Sequence, residues 1–176
     1  RLRKIADALD RMSDIVDGVL ALSRTEVAVD AVERASLAVV ARECWASVDR
    51  DDASLRVESA RPVLADEGLL SRLVENLLRN AVEHGSTDDG RGSDDSAVTV
   101  TVGDHSDGFY VADDGPGVRP ADRDRVFERG YAPAGGTGLG LRIVERVVDV
   151  HGWSAWVTES ERGGARFEVS GVERRS

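Results

Sequence analysis

Four stretches of this chain carry residue types whose spacing could do chemistry on a nucleotide. They are Glu75-Asn76-Leu77-Leu78-Arg79-Asn80-Ala81, Asp113-Asp114-Gly115-Pro116-Gly117, Phe127-Glu128-Arg129-Gly130-Tyr131 and Gly136-Thr137-Gly138-Leu139-Gly140-Leu141. Asn76 and Asn80 are four apart, so on a helix they share one face. Asparagine is a poor helix-interior residue, and its carboxamide oxygen suits magnesium, which also takes phosphate oxygens. Alone, the pair reads more simply as two exposed polar residues. Asp113 leads into a turn where Gly115 and Gly117 permit tight turning and close approach to a ligand. A carboxylate there could accept a hydrogen bond from an exocyclic base amine. Alone, the segment is equally an ordinary acidic turn. Gly136 to Leu141 opens a helix, and such a start offers bare N–H groups and a favourable dipole to phosphate. No Gly-Lys-Ser/Thr follows, so it is not a lysine-containing phosphate loop. Nor does it follow a strand as in a parallel nucleotide fold. Alone, it is a flexible loop end.

The elements that must hold these residues follow from hydrophobic spacing. Leu2, Ile5, Leu9, Met12, Val16 and Val19 repeat every three and four residues, which predicts a coiled-coil-like helix over 1–24. Its apolar face needs a partner. Residues 25–35 read as a link with some strand character. Leu37 to Val48 has helical spacing, Leu55 to Val57 alternates like a strand, and Pro62 bounds a short extended piece at Val63-Leu64. Asp66 is a plausible N-cap for a helix to about Glu83. A polar loop over 85–96 precedes strands near 97–103 and 108–113. Residues 114–136 read as a long functional loop, followed by a helix from Thr137 to Val150 that Gly152 stops. Strands near 153–159 and 165–171 flank Gly163-Gly164. This order predicts an α+β, two-layer domain: one mixed sheet with helices on one face.

Composition narrows the function further. The chain has 176 residues, 41% of them hydrophobic, enough for one domain with a proper core and an appendage. Its formal net charge is −10, so binding to nucleic acid is not expected. No run approaches a membrane span, so no direct membrane contact is expected of this stretch. The chain opens with helical character, which reads as a piece of something longer. Lys4 is the only lysine, and the acidic excess suits a salt-loving source. Cys44 has no partner for an internal disulfide and reads as a buried thiol. His84, His105 and His151 lie too far apart for a structural zinc site.

Together, in this order, the four stretches resemble the N box, first glycine box, F box and second glycine box of the ATP-binding domain of sensor histidine kinases. That domain has the Bergerat fold shared with gyrase, mismatch-repair and chaperone ATPases. The resemblance spans about residues 37–172. Residues 1–26, ending Leu20-Ala21-Leu22-Ser23-Arg24-Thr25-Glu26, look like the second helix of the dimerisation and phosphoacceptor hairpin, leaving 27–176 as the catalytic domain. With the acidic composition, the chain reads as haloarchaeal-like.

The resemblance implies a mixed, mostly antiparallel sheet, ATP and Mg2+ as cofactors, and roles for individual residues. Asn80 resembles the magnesium ligand, with Asn76 one turn earlier towards the phosphates. Asp113 resembles the carboxylate that reads the adenine amine, and Gly115 and Gly117 would line base and ribose. Gly136, Thr137, Gly138, Leu139, Gly140 and Leu141 would approach the phosphates. Residues 118–135 would form a lid anchored by Phe127, with Arg129 its nearby cation. His84 falls where the family often places a ring against adenine, and Gly164 to Phe167 resembles the strand under the base. Glu83 stands where many members are basic, and Ala165 where Thr or Ser is common. The lid lacks the usual second Phe and Arg.

The implied activity is transfer of the γ-phosphoryl group from ATP to a histidine. None of the three histidines has a phosphoacceptor context, so that residue is expected upstream of Arg1. A response-regulator receiver domain would take the phosphoryl next. Homodimerisation through residues 1–24 and a cytoplasmic location are also implied. Three rival readings remain: an ATP hydrolase, a Ser/Thr kinase of a protein antagonist, and a non-catalytic nucleotide module. The hydrolase would want Glu where Asn76 stands, and Glu75 is rotated ~100° from it on a helix.

Overall fold

Strand β1 (Glu33–Ser36) runs straight into helix α1 (Leu37–Val48) in the computed structural model, which describes residues 12, 29, 31–48, 52–58, 61–85, 97–128 and 139–173. Strands β2 (Ala53–Val57) and β3 (Pro62–Ala65) follow, then helix α2 (Glu67–Gly85). The hairpin β4 (Val98–His105) and β5 (Gly108–Ala112) leads to a 3-10 turn at Pro120–Arg125. Helix α3 (Leu139–His151) and the hairpin β6 (Ser154–Glu159) and β7 (Ala165–Ser170) complete the described elements.

Helix α2 begins where its cap permits. Asp66 Oδ1 accepts the Leu69 N–H at 3.0 Å, and Glu67 adds a negative charge beside the helix start. Leu70, Leu73, Val74, Leu77, Leu78, Ala81 and Val82 are all buried, one continuous stripe. Each buried Leu or Val of that stripe contributes about 1.5–3 kcal/mol relative to an exposed one. The stripe packs against α1 on one side and α3 on the other. Helix α3 ends at Gly152, whose φ of +70° suits glycine.

The main sheet has the order β2-β4-β5-β7-β6. The β2–β4 pair is parallel and the other three are antiparallel, as the mixed and mostly antiparallel expectation requires. Alternation puts Val98, Val100, Val102, Phe109, Val111, Val157, Phe167 and Val169 in the core with the helices. On the other face, Arg166 lies 3.7 Å over the Tyr110 ring and bonds Glu168 at 2.7 Å. The sheet is thus covered by helices on one face, the two-layer α+β arrangement.

Two expectations change. The extended piece around Val63-Leu64 does not join the main sheet. It pairs antiparallel with β1, Glu33 opposite Ala65 and Ser36 opposite Pro62, as a separate two-stranded sheet. Pro62, lacking an N–H, stands at the start of its strand, where none is needed. The loop expected over 114–136 also contains structure, because Pro120 favours a helical first turn and Arg119 holds Asp122 at 2.6 Å. The coiled-coil expectation for residues 1–24 lies outside the described residues, except that Met12 is helical and exposed.

Candidate nucleotide site

Asp113 follows the last residue of β5 and is buried, an unusual place for a carboxylate. Its Oδ1 accepts two backbone N–H groups, from Gly115 at 2.9 Å and Ala165 at 3.1 Å. Its own N–H donates to the Ala165 carbonyl at 2.9 Å. Burial pushes the Asp113 carboxyl above the ordinary carboxylate value. The two N–H bonds and the His84 charge oppose that shift, while Asp114 adds to it. Asp114 turns away, and its Oδ1 accepts the Thr99 N–H at 2.7 Å.

The turn after Asp113 reaches the end of α2. A β-carbon on Gly115 would lie 2.5 Å from the Gly85 Cα, so this glycine is needed for close contact with the helix end. The expectation that Gly115 serves ligand approach is therefore joined by a packing reason. Gly117 has φ of +73° and faces the backbone of Gly163 and Gly164. His84, exposed, sits in the last turn of α2, one residue before that contact.

Asn76 and Asn80 are half-buried on the face of α2 beside the apolar stripe. Asn76 Nδ2 donates to the Arg72 carbonyl at 2.7 Å. With its amide nitrogen so engaged, Asn76 turns its oxygen towards the first turn of α3, where a β-carbon on Gly140 would lie 3.1 Å from Oδ1. The absent side chain at Gly140 thus lets the helix start approach the asparagine face. Glu75 instead pairs with Arg79 at 3.0 Å, one turn along the helix, and not with the Asn face. Among the described residues no group of three or more His, Cys, Asp or Glu could hold a metal ion. Neutral amide oxygens are the donors on offer here, and they fit a cation that arrives already bound to phosphates.

The start of the expected lid is docked. Phe127 meets Phe167 edge-to-face, centroids 6.3 Å apart, and Val126 is buried. Arg123 donates to the Val118 carbonyl at 3.2 Å and reaches Glu159 at 3.5 Å. Arg129, Gly136, Thr137 and Gly138 lie outside the described residues. Leu139, Gly140 and Leu141 form the first turn of α3, all half-buried.

The structure therefore brings the Asn face, the α3 start, the Asp113 turn and Phe127 around one set of elements: α2, α3, β5 and β7. Sequence reasoning missed Ser160. This buried serine donates to the Asp113 carbonyl at 2.6 Å and accepts from Gly164 N–H at 2.9 Å. Its signal, a serine four residues before Gly164 across a glycine turn, is visible only once the turn is known.

The helix-covered α+β sandwich is that of an ATP-binding catalytic domain. The family model for histidine kinase-, DNA gyrase B- and HSP90-like ATPases matches residues 65–173. The sensor protein QseC of Escherichia coli O157:H7 is 32% identical over 96% of this chain and 38% of its own length. The sensor histidine kinase CpxA of Escherichia coli K12 is 29% identical over the same shares. Among solved structures, the mycobacterial sensor histidine kinase MprB matches with a TM-score of 0.67 and 27% identity, over 82% of this chain and 99% of that one. The cytoplasmic segment of histidine kinase QseC matches with a TM-score of 0.59 and 26% identity, over 94% and 95%. The chain belongs to the histidine kinase-, DNA gyrase B- and HSP90-like ATPase family, as the catalytic ATP-binding domain of a two-component sensor histidine kinase. It spans about 38% of the length of the curated relatives given above.

Proposed function

We propose that the chain binds ATP with magnesium and supports transfer of the γ-phosphoryl group to a histidine upstream of Arg1. The single observation that carries this reading is the buried Asp113, held by Gly115 and Ala165 through Oδ1. In this reading the other carboxylate oxygen accepts a hydrogen bond from a base amine. In the same reading Asn80 ligates the metal, Asn76 faces the phosphates, and His84, Gly115 and Gly117 line the base and ribose. Gly136 to Leu141 approach the phosphates, Phe127 anchors the lid, and Arg129 serves as its cation. Magnesium supplies charge neutralisation on the phosphates, and the chain supplies position and backbone N–H groups. The γ-phosphorus–oxygen bond breaks, ADP leaves with the electron pair, and a phosphorus–nitrogen bond forms on the imidazole.

Two features of the described histidines support an acceptor elsewhere. His151 uses both ring nitrogens, at Val147 O and Asp66 N. His105 lies at the end of β4, in the hairpin. By the same reading, residues 1–26 are the hairpin helix that dimerises, 27–176 the catalytic unit, and a receiver domain the next acceptor. The setting is cytoplasmic. A salt-loving, haloarchaeal-like source rests on composition alone.

The test uses the chain extended upstream in its own gene and given γ-labelled ATP. Acid-labile, alkali-stable label on an upstream histidine is expected. Acid-stable label would indicate a Ser/Thr kinase, and phosphate release without protein label a hydrolase; either contradicts the proposal.

A further inference from the structure

Ser160 lies outside every motif of the site, yet it is buried and fully engaged. Its hydroxyl donates to the Asp113 carbonyl at 2.6 Å and accepts the N–H groups of Gly164 at 2.9 Å and Arg162 at 3.3 Å. One donor and two acceptor positions are thereby all used. The backbone closes the same turn: Ser160 N–H donates to the Gly164 carbonyl at 2.8 Å, and Gly163 N–H to the Ser160 carbonyl at 3.0 Å. A β-carbon on Gly164 would collide with the Asp113 carbonyl and Oδ1. The next residue, Ala165, gives its N–H to Asp113 Oδ1. The turn thus grips Asp113 at three points: its carbonyl through Ser160, its carboxylate through Ala165, and its flank through the bare Gly164.

We propose that Ser160 is a positioning residue for base recognition, clamping the Asp113 backbone so that its carboxylate is fixed towards the amino group of adenine. The proposal rests on the reading of Asp113 as the adenine reader. Without the hydroxyl, the Asp113 carbonyl and Gly164 N–H lose their shared partner, and a buried unpaired group favours rearrangement of the turn.

The test compares calorimetric binding of the imidotriphosphate analogues of adenosine and inosine. Inosine carries an oxo group where adenine carries the amine. Ser160→Ala is expected to weaken adenosine binding about tenfold, with inosine binding changed less than about twofold, so the preference shrinks. Ser160→Thr, which keeps the hydroxyl, is expected to restore the preference. A purely structural role would weaken both analogues equally, and that result overturns the proposal. If Ser160→Ala does not fold by thermal melting, Ser160→Cys takes its place, and an unchanged preference there also overturns it. Asp113→Ala separates the two levels. If it leaves the preference intact, the adenine-reader assignment fails. If it abolishes the preference and Ser160→Ala does not shrink it, only the Ser160 inference fails.

Discussion

Asp113 is the residue at which burial and the proposed function pull against each other. Its ordinary value is 3.8, and burial raises the folded-state value above that. The folded protein therefore holds this proton at pH values where the unfolded chain has released it. Its stabilising contribution is complete below the unfolded value and is lost as pH rises through the folded one. In the proposed reading binding runs the other way, since an adenine amine needs an acceptor and a protonated oxygen facing it is a donor. Acidification into that window should weaken adenosine-analogue binding while sparing the inosine analogue; parallel losses would contradict the account. Asp113→Asn makes the same change permanently. Oδ1 must still accept from Gly115 and Ala165, so the amide nitrogen faces the base. Adenosine-analogue binding should fall by about 1–3 kcal/mol and inosine binding should gain, read by competition. An unchanged ranking would contradict it. Asp113 was legible in the sequence because glycines two and four residues on mark a turn and because the family pattern names it. Ser160 was not, because its partners lie 47 residues back and across a turn whose closure depends on the β6–β7 pairing.

Helices α2 and α3 carry the two halves of the proposed site, and their far ends are tied together. His151, in the last turn of α3, donates from Nδ1 to the Val147 carbonyl at 2.8 Å and accepts the Asp66 N–H on Nε2 at 3.1 Å. These partners define the neutral tautomer with its proton on Nδ1. The ring stacks on Trp153 at 4.1 Å, which in turn meets Phe109 edge-to-face. Asp66 is the residue that caps α2, so one imidazole links the end of one functional helix to the start of the other. His151→Ala leaves the Asp66 N–H without that acceptor and should cost about 1–3 kcal/mol in urea unfolding. No loss would show that water replaces the ring without penalty. The helices were legible because α2 shows a stripe at 3.6 spacing behind a capping aspartate, and α3 a stripe before Gly152. The separate β1–β3 sheet was not legible. Its strands are four residues each and lie 26 or more apart in sequence, so no local turn signal joins them. The 3-10 turn at Pro120–Arg125 was hidden for a related reason, since a short turn offers too few residues for a period to appear.

The surface charge acts over the entire chain and independently of the proposed site. A net charge of −10 with one lysine opposes compaction through self-repulsion, and added salt screens it. The melting temperature should rise steadily from about 0.1 M to about 2 M KCl if the composition reflects salt adaptation; a flat response contradicts that part of the account. The proposed site depends instead on sequence-distant residues, with Gly140 of α3 approaching Asn76 of α2 and Phe127 packed on Phe167 of β7. The order of the four motif stretches was enough to name the fold, and the α+β sheet covered on one face agrees with it. The most direct measurement is calorimetric titration of the folded chain with a non-hydrolysable ATP analogue, with and without magnesium, beside Asp113→Ala and Asn80→Ala. The account predicts magnesium-strengthened binding that Asp113→Ala weakens by about 1–3 kcal/mol, while Asn80→Ala removes only the magnesium increment. Binding that survives Asp113→Ala unchanged, or no binding by folded wild-type protein, would contradict it.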